Sequence, residues 1–239
     1  GEDNEKMSKS RGNVIAPDVL VERYGADTVR AYIMFFARWE MGAPWDSQGI
    51  EGSARWVRRT WKLFADSDEK RPLGSPETLK VLRRKVHQTL RRVTRNFEQF
   101  EFNTIVSSLM ELLNDMYEAR EAGAAGSSEW KEAQEIYLKM MAPVAPHIAE
   151  ELWSRLGKPY SIHQQSWPQV DEAAVKEDVI ELPVQINGKV RDRILVPAEA
   201  SEEEVKVAAL ASEAVRKFLE GKEPRKVIVV KGKMVSLVV

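Results

Sequence analysis

Two lysines three positions apart, Lys6 and Lys9, stand in the run Lys6-Met7-Ser8-Lys9-Ser10, with Arg11-Gly12-Asn13 next in the chain. Two ammonium groups among short hydroxyl residues, ahead of a glycine, make a mobile cationic loop. Such a loop can close over a polyphosphate and offer positive charge where negative charge builds up in a phosphoryl-type transition state. For lysines alone, an exposed terminus would usually be the better reading; the complete string is far more specific. Other chemistries find no residues. The chain contains no cysteine, which excludes a thiol nucleophile, a thiolate metal site and a disulfide scaffold. Its three histidines, His87, His147 and His163, lack metal-ligand spacing, so no metal site is expected; His147, at a helix start, reads as structural. No glycine-rich strand–turn–helix unit is present.

A loop of this kind must be carried by a folded body. The 239 residues, 43% hydrophobic and 31% charged, allow one large domain or two small ones at roughly 100–200 residues each. The net charge of −1 hides a strong asymmetry: residues 51–100 carry +7 and residues 101–180 carry −8. The basic block fits either a polyanion partner or a helix face paired with the acidic block after it. No apolar run approaches the ~18 residues of a membrane span, and no signal peptide is visible. The chain starts at Gly1 rather than Met, which fits a piece of something longer.

Through residue 157 the pattern is helical. Pro17 sits at a first turn and Gly25 at a helix stop, and Asp27 is expected to cap the apolar stretch Val29 to Ala37. Ile50, Ala54, Val57, Trp61 and Phe64 recur at helical spacing over residues 48–66, and Leu79, Leu82, Val86, Leu90, Val93 and Phe97 form one stripe after Ser75-Pro76. Asn103 is expected to cap a helix holding Ile105, Leu109, Leu112, Leu113 and Met116; a fourth helix ends near Ala142, and Pro143 and Pro146 separate it from a last short one. Beyond Trp167-Pro168 the period becomes two. Val184 and Ile186 lead into Asn187-Gly188, a strong hairpin signal, with Val190, Ile194 and Val196 beyond it. Ser201 with Glu204 reads as a capping box, and strands are expected at 227–230 and 234–239, turning at Gly232. The expected fold is mainly α, a helical bundle followed by a small α/β domain. Its parts are the loop and connecting helices (1–47), the bundle (48–168), an acidic linker (169–178) and the α/β domain (179–239).

Lys6 to Ser10 matches the KMSKS signature of class I aminoacyl-tRNA synthetases. Glu22 to Arg30, around Ala26-Asp27-Thr28, resembles the segment after that signature in the group for leucine, isoleucine, valine and methionine. Three stretches resemble leucyl-tRNA synthetases of the bacterial type in particular. They are Trp45 to Gly52 with Arg55, Arg59, Trp61, Lys62 and Leu63; Ala145-Pro146-His147-Ile148 with Glu150-Glu151-Leu152-Trp153; and Val184 to Arg191 with the closing run from Lys226. The resemblance spans essentially the whole chain. It implies ATP, with its Mg2+, as substrate, leucine activation and transfer to tRNA(Leu), and a cytoplasmic setting. Lys6 and Lys9 would be the catalytic cations, within an ATP-binding segment Lys6, Met7, Ser8, Lys9 and Ser10. The bundle would dock along tRNA, and the α/β domain would reach the outer corner of the tRNA L.

Arg55 and Arg59 lie four apart on one helix, with Arg58 and Lys62 as a neighbouring pair, so all four are candidate phosphate contacts. Lys189, Arg191 and Arg193 alternate with Val190, Asp192 and Ile194. In a strand, that puts the three cations along one side with Val190 and Ile194 towards the core. Against the family pattern the second signature, HIGH, is missing. The nucleotide-binding fold, leucine pocket and editing domain are therefore expected upstream, as preceding sequence or as a separate subunit. Isoleucyl or valyl enzymes, a non-catalytic RNA-binding module and a purely structural scaffold remain the alternatives. The 239-residue chain alone is expected to show no ATP–pyrophosphate exchange.

Overall fold

The computed structural model describes residues 1, 5–38, 41–65, 72–176, 179–198, 200–219, 224–230 and 232–238. They form two compact units, Gly1–Val175 and Lys176–Val239.

The first unit is helical. After the lysine loop come α1 (Pro17–Tyr24), with Pro17 in its first turn, and α2 (Ala26–Phe35). Gly25 separates them at φ 84°, a backbone shape that suits glycine. Next come α3 (Ile50–Ala65), α4 (Pro76–Glu98), α5 (Phe102–Glu121), α6 (Ser128–Met141), α7 (Pro146–Arg155) and a single turn, α8 (Glu172–Val175). Ser75 caps α4 by accepting the Thr78 N–H at 3.1 Å, and Ser127 caps α6 by accepting that of Trp130 at 2.9 Å. Three residues join α4 to α5, so the two run antiparallel and zip Leu82, Val86, Leu90 and Val93 against Ile105, Leu109, Leu112 and Met116. Helix α3 is docked by polar contacts inside this core: Trp56 Nε1 donates to the Tyr137 hydroxyl at 2.9 Å, and Thr60 lies 3.3 Å from the same oxygen.

Several expectations are corrected. Asp27 does not cap its own helix; Gly25 holds that position, and the Asp27 carboxylate serves α7 instead. Helix α5 begins at Phe102 behind Glu101, so Asn103 lies inside its first turn. On α3 the buried face runs through Ile50, Ser53, Ala54, Trp56, Thr60, Leu63 and Phe64. Trp61 stands outside it, exposed beneath the Arg155 guanidinium at 4.6 Å.

Within the stretch expected as a linker, residues 171–175 lie on α4. Arg83 donates to Glu132 and to Asp171, each at 2.8 Å, and Gln88 donates to the Val175 carbonyl at 3.2 Å. Arg91 pairs with Glu172. The Asp171 N–H donates to His87 Nδ1 at 3.2 Å, so the ring proton sits on Nε2, 3.2 Å from Glu132. The bundle side of the expected linker thus belongs to the first unit; residues 177 and 178 lie outside the described residues.

The second unit carries the hairpin β1 (Val179–Ile186) and β2 (Lys189–Pro197), helices α9 (Glu202–Ala211) and α10 (Glu213–Leu219), and strands β3 (Lys226–Val230) and β4 (Met234–Val238). Val239, expected in the last strand, lies outside the described residues. The sheet order is β2-β1-β4-β3, with β1 and β4 parallel and the outer pairs antiparallel. Asn187 at φ 49° and Gly188 at φ 81° make the two-residue hairpin turn. The capping box is present: Glu204 N–H donates to Ser201 Oγ at 3.3 Å, and Ser201 N–H to Glu204 Oε2 at 2.7 Å. Leu182, Val184, Ile186, Ile194, Val196, Val235 and Leu237 share a buried core with Val205, Ala209, Val215 and Leu219 of the helices.

The contacts around Arg83 carry a pH signature. Burial pushes the Glu132 carboxyl up, but hydrogen bonds from Arg83 and His87 outweigh it and hold it below its ordinary 4.5. Asp171 is held below 3.8, first by Arg83 and then by the Ala173 N–H. Both are depressions, so the stability they contribute is present above those ordinary values and lost as pH falls through the lower folded-state ones. Arg83→Ala is expected to lower stability at neutral pH and to flatten its loss in acid. Thermal denaturation of both proteins across about pH 3 to 7 measures this.

Candidate functional site

The lysine loop is held by backbone hydrogen bonds and by the Asn13 side chain. Residues 9–11 make one 3-10 turn, ended by Gly12 at φ 68° with its N–H donating to the Lys9 carbonyl at 3.3 Å. The Arg11 N–H donates to the Ser8 carbonyl at 3.1 Å, and the Arg11 side chain pairs with Glu5. Asn13 reaches back, accepting the Ser8 N–H on Oδ1 at 2.9 Å and donating from Nδ2 to the Lys6 carbonyl at 3.4 Å. The Ser8 and Ser10 hydroxyls lie 2.9 Å apart. Lys6 and Lys9 are exposed and form no ion pair among the described residues, and Met7 is half-buried between them. All five residues of the segment thus sit on or beside this one turn, with both lysines exposed.

Two junctions tie this loop to the bundle. Through α1, Tyr24 donates its hydroxyl to Glu51 on α3 at 2.8 Å, while Tyr32, Phe36 and Trp45 pack ring against ring at 5.1 to 5.7 Å. Through α2, the Asp27 carboxylate accepts the N–H groups of Ile148 at 2.7 Å and His147 at 3.3 Å, at the N-terminus of α7, where a negative charge is favoured. It also meets His147 Nδ1 at 2.8 Å. One turn along α2, Arg30 donates to the carbonyls of Pro143 at 2.9 Å and Val144 at 3.3 Å. Asp27 and Arg30 thus satisfy both sides of the break between α6 and α7. Sequence reasoning singled out Asp27 and His147 separately; their partnership, across 120 positions, has no local signal.

The basic block divides by helix. On α4 four cations meet acids further along the sequence: Arg83 with Glu132 and Asp171, Lys85 with Asp115 at 3.8 Å, Arg91 with Glu172, and Arg92 with Glu111 at 3.0 Å. Lys85, Arg92, Glu111 and Asp115 line an open groove of about 460 Å3 between α4 and α5. Burial first raises the Asp115 carboxyl, against the pull of Lys85. On α3, Arg55, Arg58, Arg59 and Lys62 are all exposed or half-exposed and none forms an ion pair among the described residues. At i, i+3, i+4 and i+7 they form one stripe. Arg59 stacks over Tyr117 at 4.9 Å while the Tyr117 hydroxyl donates to the Arg59 carbonyl at 2.9 Å, which steadies the middle of that stripe.

In the second unit the three strand cations do not share a face. A bulge opposite Val184 and Gln185 pairs Val184 with Asp192 but Gln185 with Val190, leaving Arg191 without a partner in the ladder. Lys189 lies opposite the buried Ile186, Arg191 stacks over Phe218 of α10 at 4.5 Å, and Arg193 lies opposite Pro183 and pairs with Glu181 at 2.7 Å. Val190, expected in the core, is 52% exposed for the same reason. It falls on the sheet face away from the helices, with Leu195, Ile228 and Val230. Among the described residues no group of three or more His, Asp or Glu could hold a metal ion, and no helix is long and apolar enough to cross a membrane.

Comparison with known proteins places this geometry. Residues 80–207 match the family described as the anticodon-binding domain of tRNA ligase, and residues 1–41 match class I tRNA synthetases of the isoleucine, leucine, methionine and valine group. A leucine–tRNA ligase of Dehalococcoides mccartyi strain 195 is 47% identical over 237 residues, covering 99% of this chain and 29% of the relative. One of Deinococcus radiodurans is 48% identical over 238 residues, covering 100% and 29%. The crystal structure of an Agrobacterium radiobacter K84 LeuRS, in a ternary complex with tRNA and LeuAMS, superposes with a TM-score of 0.85 at 29% identity, covering 99% of this chain and 32% of that one. The chain spans less than a third of the length of these relatives. The match of its loop, bundle and α/β unit to their C-terminal region identifies it as a member of the leucyl-tRNA synthetase family of class I aminoacyl-tRNA synthetases.

Proposed function

We propose that this chain is the C-terminal part of a cytoplasmic leucine–tRNA ligase, completed by an N-terminal catalytic and editing part carried as preceding sequence or as a separate subunit. It supplies the pyrophosphate-side loop for leucine activation and the surfaces that dock tRNA(Leu). One observation carries this reading. Two exposed lysines sit on a loop joined by α1 and α2 to a bundle whose α3 presents four cations, and none of the six forms an ion pair among the described residues. In the reaction the leucine carboxylate attacks the α-phosphorus of ATP, forming leucyl-adenylate and expelling pyrophosphate. The tRNA 3′-terminal ribose hydroxyl then takes the leucyl group and AMP leaves. Lys9 meets the negative charge growing on the departing pyrophosphate and Lys6 assists, while Met7, Ser8 and Ser10 complete the wall of the triphosphate site. Mg2+ arriving with ATP supplies further charge neutralisation.

Arg55, Arg58, Arg59 and Lys62 meet tRNA phosphates along α3. In the second unit Lys189 and Arg191 reach the outer corner of the tRNA, and Arg193 joins them on releasing Glu181. Contacts of this kind read backbone and shape and are largely sequence-tolerant.

In the complete enzyme, Lys9→Ala is expected to slow leucine-dependent ATP–pyrophosphate exchange by about two to three orders of magnitude, with a smaller rise in the ATP KM. An unchanged rate removes the assignment. Arg55→Ala with Arg59→Ala weakens aminoacylation and lowers its salt dependence by about one unit per lost phosphate contact, while exchange stays intact; equal loss in both assays marks structural damage instead. Deleting residues 179–239 is expected to raise the tRNA KM or abolish charging while exchange survives. Charging at the parental rate and KM by that deletion would leave the α/β unit without an RNA role.

A further inference from the structure

Lys6 and Lys9 form no ion pair among the described residues, and the backbone beneath them sets where their side chains start. That backbone is held at both ends by one side chain. Asn13 accepts the Ser8 N–H at 2.9 Å and donates to the Lys6 carbonyl at 3.4 Å, gripping the chain on either side of Met7. The amide orientation is settled by these partners, because exchanging its oxygen and nitrogen would set donor against donor and acceptor against acceptor. Asn13 is half-buried, whereas the lysines it controls are exposed. The return of the chain from the lysines to Asn13 runs through Gly12 at φ 68°, and a second clasp, Arg11 with Glu5, closes the same ring from outside.

We propose that Asn13 is the positioning residue of the lysine loop: its amide ties Lys6 to Ser8 and thereby sets the separation at which Lys6 and Lys9 meet the departing pyrophosphate. The inference rests on the proposed function of the loop and adds a residue that touches no substrate. Its physical basis is preorganisation. Residues already held in one conformation lose less entropy when a ligand closes over them, and fixed cations act on a transition state without first being gathered. Because the clasp acts on developing charge, its loss falls on the turnover of activation and leaves leucine affinity and the later transfer step alone.

The test uses the full-length enzyme with Asn13→Ala, Asn13→Asp and Lys9→Ala. Asn13→Ala is expected to lower kcat for ATP–pyrophosphate exchange by about tenfold, the worth of two hydrogen bonds. The leucine KM should stay unchanged, as should single-turnover transfer from preformed leucyl-adenylate to tRNA. Amide hydrogen exchange in the peptide spanning residues 6–13 should accelerate, with α4 unaffected. Asn13→Asp keeps the acceptor for the Ser8 N–H but loses the donor to the Lys6 carbonyl and sets acceptor against acceptor there, so it should recover protection of that peptide only in part and leave kcat lowered. An exchange rate within twofold of the parent, or faster than it, overturns the proposal, as does equal loss in activation and transfer. So does Asn13→Asp if its kcat matches the parent, because the donor to the Lys6 carbonyl would then be dispensable. Lys9→Ala separates the two levels: if it too leaves activation unchanged, the function proposed for the loop falls, whereas if it alone is defective, only the role of Asn13 falls.

Discussion

The lysine loop can act only if its stem is rigid with respect to the helices behind it, and that rigidity comes largely from one buried carboxylate. Asp27, on α2, caps α7 by accepting two of the N–H groups that a helix start leaves without partners. Proline supplies no N–H at position 146, so the capping falls on the next two residues. Arg30 closes the other half of the same break by donating to the carbonyls of Pro143 and Val144. A chain turn that would otherwise carry unpaired backbone groups is thereby satisfied by the helix that carries the loop. Neither side of the junction can move without exposing buried polar groups on the other, a cost far larger than that of shifting an exposed ion pair.

The positive charge concentrated over residues 51–100 meets two different ends. On α4 much of it is used within the fold: Arg83, Lys85, Arg91 and Arg92 face carboxylates on α5, α6 and the segment around α8. Pairing of this kind at partly exposed positions adds little stability per contact, but it orients neighbouring elements. On α3 the same residue types form no ion pair among the described residues, while the opposite face of the helix is locked to Tyr137. A net-charge count cannot separate a helix whose charges are consumed from one whose charges are free to meet a polyanion.

In the α/β unit a single irregularity changes what the alternating pattern means. Period-two reasoning places Lys189, Arg191 and Arg193 together, and it would hold for a regular ladder. The bulge adds one residue to β2, so the phase shifts between Asp192 and Val190 and every side chain on the hairpin side moves to the other face. The result is a sheet whose cations are distributed among an end, a helix contact and an ion pair, while Val190 joins Leu195 on the open face.

Local rules sufficed for much of this protein. Helical periodicity with Pro17, Ser75 and Pro146 at helix starts located α1 to α7 to within a few residues, the Asn187-Gly188 turn and the Ser201–Glu204 box located the hairpin and α9, and the KMSKS string located the loop with its two cations; α8 and α10 were not foreseen. Each of these signals lies within a few positions along the chain, so neighbouring residue types determine it. What only the tertiary structure decided depends on partners far apart in sequence. Asp27 meets Ile148 across 121 positions, Arg83 holds Asp171 across 88, and β4 returns parallel to β1 so that Val235 faces Val184. The bulge in β2 likewise reflects how two strands fit, not the composition of either. A carboxylate near a helix start can cap its own helix or another one, and a run of arginines can bind an acid or await one. The residues are the same in each case; the packing of distant elements selects between the outcomes by deciding which polar groups lose their water and must find partners inside the fold.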